Sequence, residues 1–229
     1  MNDSDHDENG RDPDNKRDRG TADVVAALSA GAALFNEGHV LAAHDPWEAA
    51  WLPLDADDAP DDERLLHGLI AAAAATHHAS SRNWSGAVGC AQNAVEYLDA
   101  VDPTAQEAGI GPVREWCRRL AIDPETIERA RPPAVRIGDS APGFDDLDFS
   151  AALLAAPVLA AEIDPGIETT FERATELARK ERGTGQTTFA ELLFAFLCNP
   201  ETRPQVAARL ADRVELVDRK RRDVDDLFE

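Results

Sequence analysis

Apolar residues recur at spacings of three and four along most of this chain, the period of helices that bury one side. The stretch TADVVAALSAGAALFNEG, beginning at Thr21, offers Val24, Val25, Leu28, Leu34 and Phe35 to one face, and Asn36-Glu37-Gly38 ends it. A second helical stretch is expected from about His39 to Leu52, and the loop PLDADDAPDD follows it. A third, from about Asp62 to Ser81, sets Leu66, Leu69, Ile70 and Ala73 on one side. A fourth, from about Ser85 to Val101, carries Ala87, Cys90, Ala91, Ala94, Val95 and Leu98. A fifth, from about Gly111 to Ala121, holds Val113, Trp116 and Leu120, and Asp123-Pro124-Glu125 reads as the cap and first position of a short helical turn.

Residues 131–146 (RPPAVRIGDSAPGFDD) are rich in Pro, Gly and Asp and read as a linker. Beyond it helices are expected over Leu147 to Ala161, from Asp164-Pro165 to about Arg182, over Thr187 to Cys198, and from Asn199-Pro200 to about Asp223. Thr187 to Cys198 is apolar nearly all round, as a buried helix should be, and Val206, Leu210, Val214 and Val217 form one stripe on the last helix. No segment alternates with a period of two, so the expected class is all-α. It consists of an antiparallel helical bundle over 21–130, joined by 131–146 to a smaller helical C-terminal appendage over 147–229. Residues 1–20 contain no core-forming side chain after Met1 and are expected to be a disordered acidic tail.

Composition narrows the function. There are 44 acidic residues against 23 basic, a net charge of −21, which opposes binding to a nucleic-acid backbone or an anionic membrane. The acids are mostly Asp, and only Lys16, Lys180 and Lys220 are lysines. Short carboxylates and few long lysine stems fit a salt-adapted cytosol, as in halophilic archaea, where a Debye length of about 3 Å in molar salt screens the self-repulsion. No apolar run reaches membrane-spanning length and the start has no apolar stretch, so a soluble cytoplasmic protein is expected. Cys90, Cys117 and Cys198 are far apart and form neither a disulfide framework nor a cysteine zinc site. Phosphate-loop patterns and local Ser/His/Asp or Cys/His patterns are absent. The basic run Arg219-Lys220-Arg221-Arg222 is flanked by Asp218, Asp223, Asp225 and Asp226 and reads as a solvated helix end.

The densest chemistry is Ala43-His44-Asp45-Pro46-Trp47-Glu48-Ala49-Ala50-Trp51. On one continuous helix, Val40, Leu41, His44, Trp47, Glu48 and Trp51 fall within about 120° of arc. Glu48 then needs a partner: His44, an indole N–H, or a group on the next helix. Glu63 and His67, four residues apart, should come level with Glu48 and His44 in an antiparallel hairpin. Two histidines and two glutamates, His44, Glu48, Glu63 and His67, could hold a divalent metal, with zinc, manganese or iron suited to such ligands. The competing reading makes Asp45 a cap, Pro46 the first helical residue and Glu48 the third member of a capping box, which breaks the helix after His44. Trp47 and Trp51 are core anchors either way. His77 reads as a hydrogen-bonded core histidine, His39 as a helix-start residue, and His6 lies in the tail.

The texts LFNEGHVLAAHDPWEAAW, RLLHGLIAAAAATHH and RNWSGAVGCAQNAVEYL resemble the family known as domain of unknown function 309 over about Leu34 to Leu98. Its pattern is Phe-Asn-x-Gly, His-Glu-x-Trp-Glu-x-x-Trp, Leu-Gln-Gly-Leu-Ile and Gly-Asn-x-x-Gly-Ala. GIGPVREWCRRL continues the resemblance to about Leu120, which implies a compact helical fold and names no activity. His44, Trp47, Glu48 and Trp51 match residue by residue. Asp45 and His67 stand where glutamate and glutamine are usual, so a ligand set shared by relatives would not rely on His67. Arg82 stands where a glycine precedes Asn83.

Together these readings favour a non-catalytic cytosolic binding or interaction module, its pocket or packing nucleus built by His44, Trp47, Glu48 and Trp51. The alternatives are a metal-dependent, hydrolase-like enzyme using His44 and Glu48 with Glu63 or His67, and a structural module that holds a homo-oligomer together.

Overall fold

The computed structural model describes residues 13–54, 59–102 and 109–225. Within them the chain forms α1 (Pro13–Asn36), α2 (His44–Trp51), α3 (Pro60–Ser80), α4 (Trp84–Asp99), α5 (Gly111–Ile122), α6 (Phe149–Ile163), α7 (Glu168–Glu181), α8 (Thr188–Cys198) and α9 (Arg203–Asp225). No strand occurs among the described residues; an isolated bridge joins Ile137 and Ser140. The class is all-α. Among the described residues no helix is long and apolar enough to cross a membrane.

The first helix starts at Pro13, ahead of Thr21. Adding a turn to an existing helix is far cheaper than nucleating one, so the polar stretch continues a helix anchored by Val24, Leu28 and Leu34. The rest of the expected tail, 1–12, lies outside the described residues.

Alanine faces bring α3 and α4 together as an antiparallel pair. Ala72, Ala73, Ala75, Ala87, Ala91 and Ala94 are all buried. Gly68 closes the approach: a Cβ there would lie 2.5 Å from Leu98 Cδ2. On the other flank of α3, Thr76 donates to the Ala72 carbonyl and accepts the Trp116 indole N–H at 3.1 Å, tying α5 to the pair.

Residues 131–146 are strapped onto α1. Asn36 at the end of α1 donates to the carbonyls of Val135 (3.0 Å) and Pro142 (2.9 Å) and accepts the Val135 N–H (2.8 Å). Val135 and Phe144 are buried, and α6 lies on α1. One hydrophobic core runs from Val24 to Val214. In it α8 buries Phe189, Leu193, Phe196 and Leu197, and α9 seals it with Val206, Leu210 and Val214.

Capping differs at two expected sites. Asp123 makes no cap hydrogen bond and pairs with Arg129, while Asn199 donates back to the Ala195 carbonyl at 3.0 Å, closing α8 rather than opening α9. Both side chains are exposed enough to choose the nearer partner. Asp148, by contrast, caps α6 through the Ala151 N–H at 2.8 Å.

Candidate functional site

The second helix begins at His44, and Ala43 at its N-cap offers no capping side chain. Pro46 therefore sits inside the first turn, where its missing N–H has no intrahelical partner to lose. The capping-box reading is not met; residues 40–43 are turns rather than helix, and the helix is unbroken across Pro46. His44, Trp47, Glu48 and Trp51 thus share one side of α2.

Trp47 is completely buried. Its indole lies over Gly31 of α1, where a Cβ would come within 2.3 Å of Nε1, and it donates to the Leu28 carbonyl at 3.4 Å. A glycine in mid-helix costs about 1 kcal/mol relative to alanine, and here it opens the slot that admits the ring. That cost, visible in an otherwise Ala-rich stretch, was the available signal for Gly31.

His44 lies at the rim. Its Nδ1 is 3.4 Å from Asp45 Oδ1 and 3.9 Å from Glu48 Oε2, with Glu48 about half exposed. The hydrogen bond to Asp45, opposed by burial and reinforced by the Glu48 charge, holds its pKa above the usual 6.5. Of the partners open to Glu48, His44 is the nearest, and both indole N–H groups of α2 are used elsewhere. Trp51 donates to Glu63 Oε1 at 2.9 Å, and the same oxygen lies 3.5 Å from His67 Nδ1. His67 is packed between the Trp51 ring, 4.5 Å between centroids, and the Tyr97 ring, stacked at 3.9 Å. Its Nδ1 is buried without a hydrogen-bond partner.

Glu63 and His67 therefore come level with Trp51, near the loop between α2 and α3. His44 pairs with Glu48 and Glu63 with His67, and no three His, Cys, Asp or Glu side chains among the described residues converge on one point. Tyr97, the chain's single tyrosine, joins the cluster from α4; its place in the EYL end of the motif was the signal for it. His77 is half-buried rather than in the core, and His39, in the connection between α1 and α2 rather than at a helix start, has its Nδ1 3.1 Å from Glu162 Oε1 of α6.

The cysteines are free and protonated at neutral pH. Burial pushes Cys117 up to about 12 and, with Asp145 nearby, Cys198 to about 11; it also raises Cys90. None is a ready thiolate nucleophile.

Arg82, in the turn between α3 and α4, adopts φ 57°, the left-handed conformation that glycine takes without strain. Asn83, the next residue, caps α4 by accepting the Gly86 N–H at 3.2 Å. The Arg82 side chain is exposed and pairs with Glu128 at 3.0 Å, a surface contact of small value. Arg82→Gly is expected to raise stability by about 0.5–1 kcal/mol, read as a higher urea midpoint with an unchanged slope.

With this geometry in place, residues 28–90 match the model of a family described as domain of unknown function (DUF309). The match takes in the second half of α1, α2, α3 and the start of α4, and with them every member of the cluster except Tyr97. It supports the resemblance carried by the His44 to Trp51 motif, while α5 to α9 lie beyond it. No curated protein and no solved structure matches the chain.

Proposed function

We propose that this chain is a non-catalytic helical binding module whose recognition face is the edge of α2, α3 and α4 bearing His44, Glu48, Trp51, Glu63, His67 and Tyr97. Trp47 is the packing nucleus beneath it. The observation that carries the reading is the Trp51–Glu63–His67–Tyr97 chain, an aromatic and ionisable cluster drawn from three helices and left half-exposed. Its rings and carboxylate are held by one another, so the surface is rigid before a ligand arrives, which lowers the ordering cost of binding. Beside it His44 and Glu48 add a polar rim. A salt-rich cytosol is the setting that the acidic composition favours, and net charge −21 disfavours nucleic acid and anionic membranes as partners.

The test is elemental analysis of untagged protein purified in concentrated KCl without chelator, beside His44→Ala. Near-stoichiometric zinc, manganese or iron that disappears in the variant would replace this reading with a metal-dependent enzyme; metal-free samples support it. Stability is the second readout. Because His44 and Glu48 lie partly in water, His44→Ala and Glu48→Gln are expected to cost under about 1 kcal/mol, less than the 1–3 kcal/mol typical of orphaning a buried partner. The His44 proton is held more tightly folded than unfolded, so its contribution is fully present below about pH 6 and disappears as pH rises through the raised pKa. The wild type should gain stability relative to His44→Ala as pH falls from about 8 to about 6 in urea titrations, and an unchanged difference would remove the pairing from the account.

A further inference from the structure

Away from that edge, α1, α6 and α7 enclose a cleft of about 260 Å³ lined by Asp23, Ala26, Phe149, Leu153, Leu154 and the pair Arg179 and Arg182, with Ser150 at its side. Its walls differ chemically. Ala26 and Leu153 are buried and Phe149 and Leu154 half-buried, which makes an apolar surface. At the end of α7 two guanidiniums face it, and both are positioned by uncharged neighbours. Arg182 lies over the Phe149 ring, 5.4 Å from its centroid, and Arg179 Nη1 is 3.5 Å from Thr175 Oγ1.

Neither arginine is ion-paired among the described residues, in a chain with 44 acids to 23 bases. Two guanidiniums lining one cleft without an ion-pair partner present several N–H donors suited to a planar carboxylate. Asp23 on the α1 wall and the net charge of −21 disfavour a polyanion. The cleft lies a little below the usual size range for small-molecule pockets, which limits the guest to roughly a dozen non-hydrogen atoms.

We infer that the cleft between α1, α6 and α7 binds a small organic monocarboxylate with an apolar body, the carboxylate held by Arg179 and Arg182 and the body lying on Phe149, Leu153 and Leu154. The site is independent of the α2 edge and shares no residue with it. A guest of this size without further polar contacts binds at millimolar concentration.

The experiment is a calorimetric titration of the full chain in concentrated KCl with phenylpropionate, using phenylpropanol as the uncharged control and L-phenylalanine as the arm that adds an ammonium near Asp23. Saturable binding of phenylpropionate at millimolar concentration is expected, about tenfold tighter than the alcohol and weakened about tenfold in the Arg179→Gln/Arg182→Gln double variant. Both arginines are exposed, and unchanged circular dichroism would show that the variant is folded. Ser150→Phe keeps both guanidiniums, fills the cleft from an exposed position and should also abolish binding. Tighter binding of L-phenylalanine than of phenylpropionate would identify an amino acid as the carboxylate's source. Absence of saturable binding, equal affinity for the alcohol, or full affinity in the folded double variant or in Ser150→Phe overturns the inference.

Discussion

Trp47→Ala is expected to destabilise the fold by about 3–5 kcal/mol, the range for removing a large aromatic ring from a packed core. The residue is 0% exposed and bridges α1 and α2, so the cavity it leaves cannot collapse without moving one helix against the other. The reciprocal change gives the argument its check. Gly31→Ala gains about 1 kcal/mol of helix propensity but drives a methyl to 2.3 Å from the indole nitrogen, an overpacking that costs about 1–3 kcal/mol or more in a core with no room to yield. The net effect should be destabilising. In the double variant Trp47→Ala/Gly31→Ala the methyl enters vacated space, so the combined loss should fall short of the sum by at least about 1 kcal/mol. Strict additivity in urea unfolding would show that the ring and the glycine do not share one slot.

The second large effect is expected at Asn36. Its side chain makes three hydrogen bonds to the backbone of residues 135–142, so Asn36→Ala leaves the Val135 N–H and C=O and the Pro142 C=O unpaired. Each orphaned group costs about 1–3 kcal/mol when dry; Asn36 is half-buried and water can reach part of the site, so about 2–4 kcal/mol in total is expected. The loss should be local in its first sign, because the three lost bonds all tie the strap to α1. Limited trypsin digestion should cut after Arg136 faster in Asn36→Ala than in the wild type under native conditions. Asn36→Leu fills the volume without the hydrogen bonds and should be no better. Equal cleavage rates would mean that Val135 and Phe144, through burial alone, hold the strap.

Much of this was readable in the chain. The helical periodicity located the helices to within a few residues except at α1 and α2. The His44 to Trp51 motif was legible as the richest chemistry, with Trp47 as an anchor. Pro, Gly and Asp in 131–146 describe local backbone preference, whereas the docking of this segment on α1 depends on one side chain about a hundred positions away in sequence. Pro46 was ambiguous because the same dipeptide suits a first helical position or a first turn. Only the turn that Leu34 to Ala43 makes after α1 sets where α2 can begin.

By itself the sequence determined what depends on periodicity and composition: an all-α chain, apolar stripes along its helices, a net charge of −21 and Trp47 as a core anchor, whereas Trp51, read as a second anchor, is half-exposed. Tertiary structure decided the partners. A stripe specifies which side of a helix is buried but not how far the neighbouring helix slides along it, and one turn of about 5.4 Å exchanges one set of contacts for the next. That offset gave the Trp51 indole to Glu63, placed His67 between two rings, left His44 with Asp45 and Glu48, and separated into two pairs the four residues that the sequence had allowed as one metal site.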